Sequence, residues 1–282
     1  MPYIELHTHT NFSFLDGAVD PESLVNRAVE LGYPALAITD TNGLYGIVRF
    51  NQQARQTGLR PIFGATALLP SNLRLVLLAK DAAGYANLSQ MLSAAQLGSP
   101  KGEARVTTEL LAAHADSLIA LTHDDLADCL LRHDLPAAER LLDRYREIFG
   151  RDNLYIELRH HRLPAHEFLC EELTRLGRRA NIPTVAANDV HYAVPDGRRL
   201  QDVLTCIRHH TTLDNAGALL YPNAERYLKS PDAMARLFRH YPDAVANTVA
   251  IADRCWFPLE PLETPLPDFP VPAGSTAPPT LR

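Results

Sequence analysis

Cysteine is scarce in this sequence and never paired: Cys129, Cys170, Cys206 and Cys255 are the only four in 282 residues, and none sits in a CxxC motif. A disulfide framework is not expected, and the four read as small core residues in a reducing compartment. Positive charge is not in excess either. The net charge of −6 argues against a broad basic surface gripping nucleic acid, though it leaves room for a local positive groove. No apolar run is long enough to span a bilayer, and Met1-Pro2-Tyr3-Ile4-Glu5-Leu6-His7 lacks the basic start and apolar stretch of a secretory leader. These absences predict a cytoplasmic chain with no membrane partner. What is present is ordinary globular composition, 46% hydrophobic and 21% charged, at a length that α/β barrels fill as one unit.

Strand-like and helix-like runs alternate. A short strand over 4–7 leads to a loop at Asp16-Gly17. Asp20 is placed to cap a helix, with Pro21 at its first position and Gly32 just past its end. Further strands are expected at 35–40, 61–69, 73–79, 117–122, 154–158 and 183–187, and helices at 47–57, 85–97, 135–149 and 165–180. Seven apolar strands, most followed by a helix, imply a parallel sheet covered on its outer face. Because the chemically interesting residues fall at several strand C-termini, a distorted TIM-like (β/α)7 barrel fits best; an open doubly wound sheet is the competing arrangement. The barrel domain is expected over 1–257, with a helical extension from about 195. Residues 258–282 carry Pro258, Pro261, Pro265, Pro267, Pro270, Pro272, Pro278 and Pro279 and read as an extended linker toward a further domain.

His7 and His9 form His-x-His at the end of the first strand, and Asp189-Val190-His191 repeats the spacing at the end of the last. In extended backbone, residues i and i+2 point to one face, so each pair can converge on a single point at the barrel mouth. Imidazole and carboxylate suit zinc, manganese or iron. Asp16 and His161 each lie on a loop just past a strand. A single His-x-His is more often a hydrogen-bonded pair than a metal site; the matching Asp-x-His is what raises the metal reading above it.

The stretch His7-Thr8-His9-Thr10-Asn11-Phe12-Ser13-Phe14-Leu15-Asp16-Gly17-Ala18 resembles the first motif of the PHP (polymerase and histidinol phosphatase) superfamily, in the form carried by family C DNA polymerase III alpha subunits. Leu36-Ala37-Ile38-Thr39-Asp40 with Gly43-Leu44-Tyr45-Gly46 is similar to the same polymerases, as are the segments 77–88, 186–192 and 227–231. The likeness covers essentially the whole chain. The Asn-Phe-Ser-Phe-Leu stretch leans toward the error-prone type, and Leu266-Pro267-Asp268-Phe269-Pro270 is similar to the join where the polymerase palm begins. The family's fold is the PHP barrel, and its complete members use up to three metal ions for phosphoester hydrolysis, in some polymerases as a 3′–5′ exonuclease. Carried over by position, the resemblance implies metal ligands at His7, His9 and Asp16, at His161 (with His160 competing for the register), and at Asp189 and His191.

Three positions depart from that pattern. Thr41 and Thr66 stand where a histidine and a bridging glutamate are expected, and Arg74 replaces a histidine. Threonine cannot balance two dications, and a guanidinium has no lone pair and is always cationic. The best surviving site is therefore His7, His9 and Asp189, with a weaker one at Asp16, His191 and a neighbour such as Asp40. Fewer than three ions are expected.

Asp40 reads equally as a ligand or orienter and as a turn cap. His123, His160 and His209-His210 read as solvated surface residues, Trp256-Phe257 as a packing anchor, and Arg144, Arg146, Arg178 and Arg179 as solvated helix faces. The expected role is a structural platform for the polymerase domain of the same parent chain, meeting DNA only through that parent. The competing roles are an active phosphoesterase or 3′–5′ exonuclease and a stand-alone phosphatase of small phosphomonoesters.

Overall fold

The computed structural model describes residues 2–260. The expected linker lies outside the described residues beyond Glu260, and with it the segment 266–270.

Eleven α-helices, four short 3-10 helices and six strands follow one another among the described residues. Helix α1 (Pro21–Glu30) starts at Asp20, whose carboxylate accepts from the Ser23 amide, with Pro21 in the first turn. Past its end Gly32 takes φ 78°, a conformation that glycine adopts without strain. Then come β1 (Ala35–Ile38), α2 (Ile47–Thr57), β2 (Arg60–Leu68), β3 (Arg74–Ala79), α3 (Ala82–Leu97) and α4 (Thr108–Ala113). They are followed by β4 (Leu118–Thr122), α5 (Asp124–Leu131), α6 (Leu135–Phe149), β5 (Leu154–Arg159), α7 (Pro164–Ala180) and β6 (Thr184–Ala187). Helices α8 (Arg198–Arg208), α9 (Leu213–Ala216), α10 (Pro231–Leu237) and α11 (Pro242–Arg254) form the expected helical extension.

The strands pair in the order β1-β2-β3-β4-β5-β6 and curl into the wall of a distorted TIM-like barrel. The sheet is not all-parallel as the sequence predicts: β3 runs antiparallel to both β2 and β4. The reason is the connection. Only 69–73 separate β2 from β3, far short of the dozen or so residues that a parallel crossover needs. The reversal puts Arg74, the first residue of β3, at the end where the parallel strands finish.

The expected first strand is the second difference. Residues 4–9 run between β1 and the stretch after β6 but form no regular ladder. On one side the Ala37 and Thr39 amides donate to the Glu5 and Thr8 carbonyls; on the other, Val190 exchanges bonds with His7 and His9. Three residues thus face two, a bulge that side chains fill: the His7 amide donates to its neighbour Glu5, and the Thr8 amide to Thr39 Oγ1. The barrel closes through this segment.

Two apolar layers result. One lies between the strands and α1 to α7. The other fills the barrel interior with Ile4, Leu6, Ile62, Val76, Leu78, Ile119, Leu121 and Val185. Helix α11 adds Ile251, Ala252 and Cys255 to that interior layer. It also bonds to the strand starts, through Thr248 to the Ile4 amide, Asn247 to the Thr184 carbonyl and Arg254 to Asp152. The barrel is therefore plugged at one end by α11 and open to chemistry at the other. All four cysteines are free and buried. No helix among the described residues is long and apolar enough to cross a membrane.

The α3 start packs tightly. A β-carbon at Gly84 would lie 2.2 Å from the Ser117 carbonyl oxygen. Alanine gains up to about 1 kcal/mol of helix propensity over glycine, but overpacking against backbone costs about 1–3 kcal/mol. Gly84→Ala should therefore lower the urea midpoint at unchanged m-value. A midpoint at or above that of the parent would show that this contact relaxes freely.

Candidate metal centre

The barrel mouth gathers residues from nearly every strand end. His7 and His9 come from the bulged N-terminal segment, and Glu157 and Arg159 from the end of β5. Asp189 and His191 follow β6. Asp189 is held at φ 48°, a left-handed conformation that aspartate tolerates better than most side chains.

The hydrogen bonds fix which imidazole nitrogens carry protons. His7 Nδ1 donates to Glu157 Oε1 at 2.7 Å. Ser13 Oγ donates to Asp40 and accepts from the Thr41 amide, so His9 Nδ1 donates to it at 2.9 Å. In their neutral forms both Nε2 atoms then carry lone pairs, and they face each other across 3.1 Å. Asp189 Oδ1 lies 3.4 Å from His7 Nε2 and 3.3 Å from His9 Nε2 and accepts no hydrogen bond. Three acceptors, all essentially buried, thus converge on one point. Such an arrangement calls for a cation. Burial opposes protonation of His7, but Glu157 and Asp189 outweigh it and raise its pKa. Burial, helped by His191 and His7, pushes His9 down to about 3. The donor set fits a divalent metal.

Asp40 spends its oxygens on the Thr10 amide and on the Thr10 and Ser13 hydroxyls. It pins the turn and, through Ser13, sets the His9 ring.

The other expected ligands have different surroundings. His191 Nδ1 donates to the Asp189 carbonyl, which leaves Nε2 to accept from Tyr221 at 3.2 Å, with Asp16 Oδ2 at 3.5 Å. Asp16 is flanked by Arg208, 3.1 Å from Oδ1, and Arg74, 3.6 Å from Oδ2. Burial would raise its carboxyl, yet His191 and Arg74 hold it well below the usual carboxylate range. His161 Nε2 donates to the Asn188 carbonyl at 2.8 Å. It lines a cavity of about 310 Å3 with His123, Arg159 and Arg226 rather than joining the three convergent acceptors. Thr66 Oγ1 lies 3.3 Å from His7 Nε2 and donates to the Thr39 carbonyl. Thr41 Oγ1 has no partner.

The second feature of the mouth is arginine. Arg159 pairs with Asp124, with Asp189 Oδ2 at 3.1 Å and with Glu157 at 3.7 Å, and Arg226 binds the same Asp189 oxygen. Burial works against ionisation of Asp189, but Arg226, His7 and His191 hold its pKa well below the ordinary value.

Arg159 and Glu157 form a further i,i+2 pair, Glu157-Leu158-Arg159, and that spacing could have flagged them in the sequence. Arg226 and Arg208, from loop and helix, carried no such signal. His123 is not the solvated residue expected: it is 9% exposed, precedes α5, and Nδ1 donates to the Glu157 carbonyl. The aromatic anchor is Phe257 alone, packed on Phe63 and Tyr85, while Trp256 is exposed. Arg144, Arg146, Arg178 and Arg179 are exposed, as expected.

Replacing Arg159 by methionine leaves Asp124, Glu157 and Asp189 short of a buried countercharge, so unfolding should become easier by about 3–5 kcal/mol in urea. The depressed carboxyls give acid sensitivity with a definite sign. Because Asp16, Asp124, Glu157 and Asp189 titrate lower folded than unfolded, the stability they contribute is full above roughly pH 4 and is lost as pH falls below it. An acid titration of stability that stays flat to pH 2 would contradict this.

The chain matches the PHP domain family over residues 5–161. It is 40% identical over 291 residues to an error-prone DNA polymerase of Anaeromyxobacter sp. (strain K), covering 98% of this chain and 24% of that one. To the DNA polymerase III subunit alpha of Treponema pallidum it is 37% identical over 272 residues, 90% of this chain and 23% of that one. It spans about a quarter of the length of these curated relatives. A solved structure of an amidohydrolase from Chromobacterium violaceum, with sulfate bound and no metal, superposes with a TM-score of 0.50 at 14% identity, over 67% of this chain and 87% of that one. That likeness bears on the fold alone. Sequence match and barrel mouth agree: the chain belongs to the PHP domain family, in the form found in error-prone DNA polymerases and DNA polymerase III alpha subunits.

Proposed function

We propose that this chain is the PHP domain of an error-prone-type DNA polymerase polypeptide, acting in the cytoplasm mainly as a structural platform for the polymerase part. It holds a single divalent cation between His7, His9 and Asp189. The observation that carries this reading is the contrast within one mouth. Two imidazole lone pairs and Asp189 Oδ1, which accepts no hydrogen bond, converge on one point, while arginines take the other Asp189 oxygen and both oxygens of Asp16.

Zinc, manganese or iron suits the three donors. When bound, such an ion polarises what it touches and neutralises the facing acceptors. Hydrolysis of a phosphoester by paired metals needs a second cation clamped beside the first. Thr66 supplies no bridging carboxylate, and at Asp16 a second ion would have to displace Arg74 and Arg208. Glu157 and Ser13 orient His7 and His9, and Asp16, His161 and His191 serve as scaffold. An active phosphoesterase or 3′–5′ exonuclease is the alternative, favoured by the 3.5 Å approach of Asp16 to His191.

Metal per chain, measured by plasma mass spectrometry on untagged protein, should be close to one and fall toward zero in His9→Ala. Chelation should lower the melting temperature by roughly 5–10 °C, since loss of a ligand bound well above its Kd removes several kcal/mol. Two or more tight metals, together with metal-dependent release of nucleotides from a 3′ end, would sink the platform reading.

A further inference from the structure

Most arginines of this barrel are matched by an acid. Fourteen in the described chain pair with a carboxylate. Arg151, Arg178, Arg236, Arg239 and Arg254 do not, and all five line two cavities on one side of the barrel. The larger, about 590 Å3, has Arg151, Arg178 and Arg254 on its walls; the smaller, about 410 Å3, has Arg236 and Arg239. His240 and Tyr241 belong to both, so the cavities adjoin. The carboxylates lining them are fewer: Asp152 and Asp243, neither paired with an arginine, and Glu167, which His160 holds at 3.1 Å. Arg162, also in the smaller cavity, is matched by Glu225 at 3.4 Å. A chain of net charge −6 thus keeps a surplus of positive charge along this side.

Part of that surplus is fixed in place. Arg254 donates to the Asp152 carbonyl, the Tyr155 hydroxyl and the Asn153 side-chain oxygen, all neutral acceptors. Its charge stays unmatched, and two of the five donors of a guanidinium stay unspent. A guanidinium held in that way is prepared for an incoming oxyanion. The two cavities follow α7 from Glu167 in its first turn to Arg178 in its last, roughly 16 Å at the rise of an α-helix. The trough is therefore elongated, with room for several successive phosphates of one strand. Tyr241, half-buried at the junction, gives a base a ring to lie on. The barrel closes on itself, so the trough offers no open strand edge for a peptide to extend.

We infer that this trough binds the sugar–phosphate backbone of single-stranded nucleic acid, so that the domain meets nucleic acid through a surface of its own. The choice of nucleic acid over another linear polyanion rests on the reading of the chain as a polymerase segment; the charge and length of the trough stand without it.

The test is fluorescence anisotropy of a labelled oligothymidylate titrated with the 282-residue chain, with metal per chain measured on the same preparation. With about four phosphates engaged, affinity should fall roughly 50-fold between about 50 and 200 mM salt. Arg236→Glu/Arg239→Glu, at two exposed positions, should melt with the parent and weaken binding about tenfold or more. Arg178→Ala, which removes a charge without adding one, should lower the salt slope by about one. The control Arg140→Glu/Arg144→Glu makes the same charge change on α6, outside the trough, and should bind within about twofold of the parent. No binding by the parent at low salt overturns the inference, as does equal weakening by the two double variants. Polyglutamate that binds as tightly as the oligonucleotide would assign the trough to an acidic protein instead. Thymidine monophosphate that displaces the oligonucleotide at equal concentration would reduce it to a pocket for one phosphate. One metal per chain without oligonucleotide binding removes the trough and leaves the functional reading standing; binding by a chain that fails the metal count does the reverse.

Discussion

Charge neutrality in a space with little water governs this barrel mouth. Asp16, Glu157 and Asp189 are buried and Asp124 is half-buried, and an uncompensated carboxylate in such a place costs several kcal/mol. Arg74, Arg159, Arg208 and Arg226 answer them, arriving from β3, β5, α8 and the loop before α10. Much of the architecture serves that balance. The reversal of β3 delivers Arg74 to the correct end, and the last turn of α8 delivers Arg208. Asp189 Oδ1 and the two imidazoles facing it stay outside the arginine set.

A guanidinium and a metal ion neutralise a carboxylate differently. The arginine charge is tethered, cannot be lost to a chelator, and has no vacant position for water or phosphate oxygen. An arginine that neutralises a buried carboxylate keeps the mouth folded without supplying Lewis acidity. The two threonines bring no charge to the mouth either. Thr66 reaches the His7 ring without charge, and the Thr41 hydroxyl has no hydrogen-bond partner.

Most of the fold was legible, because strong local signals agree with it. The α1 signals at Asp20 and Gly32, most of the apolar strands and the pair His7/His9 lie where the pattern puts them. Asp189, by contrast, joins that pair from a left-handed backbone, and His191 turns toward Asp16 and Tyr221. What escaped depends on distance in sequence. The direction of β3 follows from a five-residue connection that an apolar run cannot reveal. The bulge at 4–9 is built from the side chains of Glu5 and Thr39, not from backbone periodicity. The partners of Asp16 lie 58 and 192 positions away along the chain, so Asp16 read as a ligand when its neighbours could not be seen. His123 looked like a loop residue because burial by Arg159 and Glu157 is a tertiary fact.

The plug at the closed end has a consequence for biosynthesis. The Ile4 amide waits for Thr248, 244 positions later, and the interior layer around Ile4 and Leu6 is completed by Ile251 and Cys255. With ribosomes adding about 5–20 residues per second, the barrel floor stays open for on the order of tens of seconds after the first segment has emerged. Throughout that interval the His7/His9 segment has no lid beneath it. Nascent chains of this domain are thus most exposed to chaperones and to misassembly just before α11 leaves the tunnel.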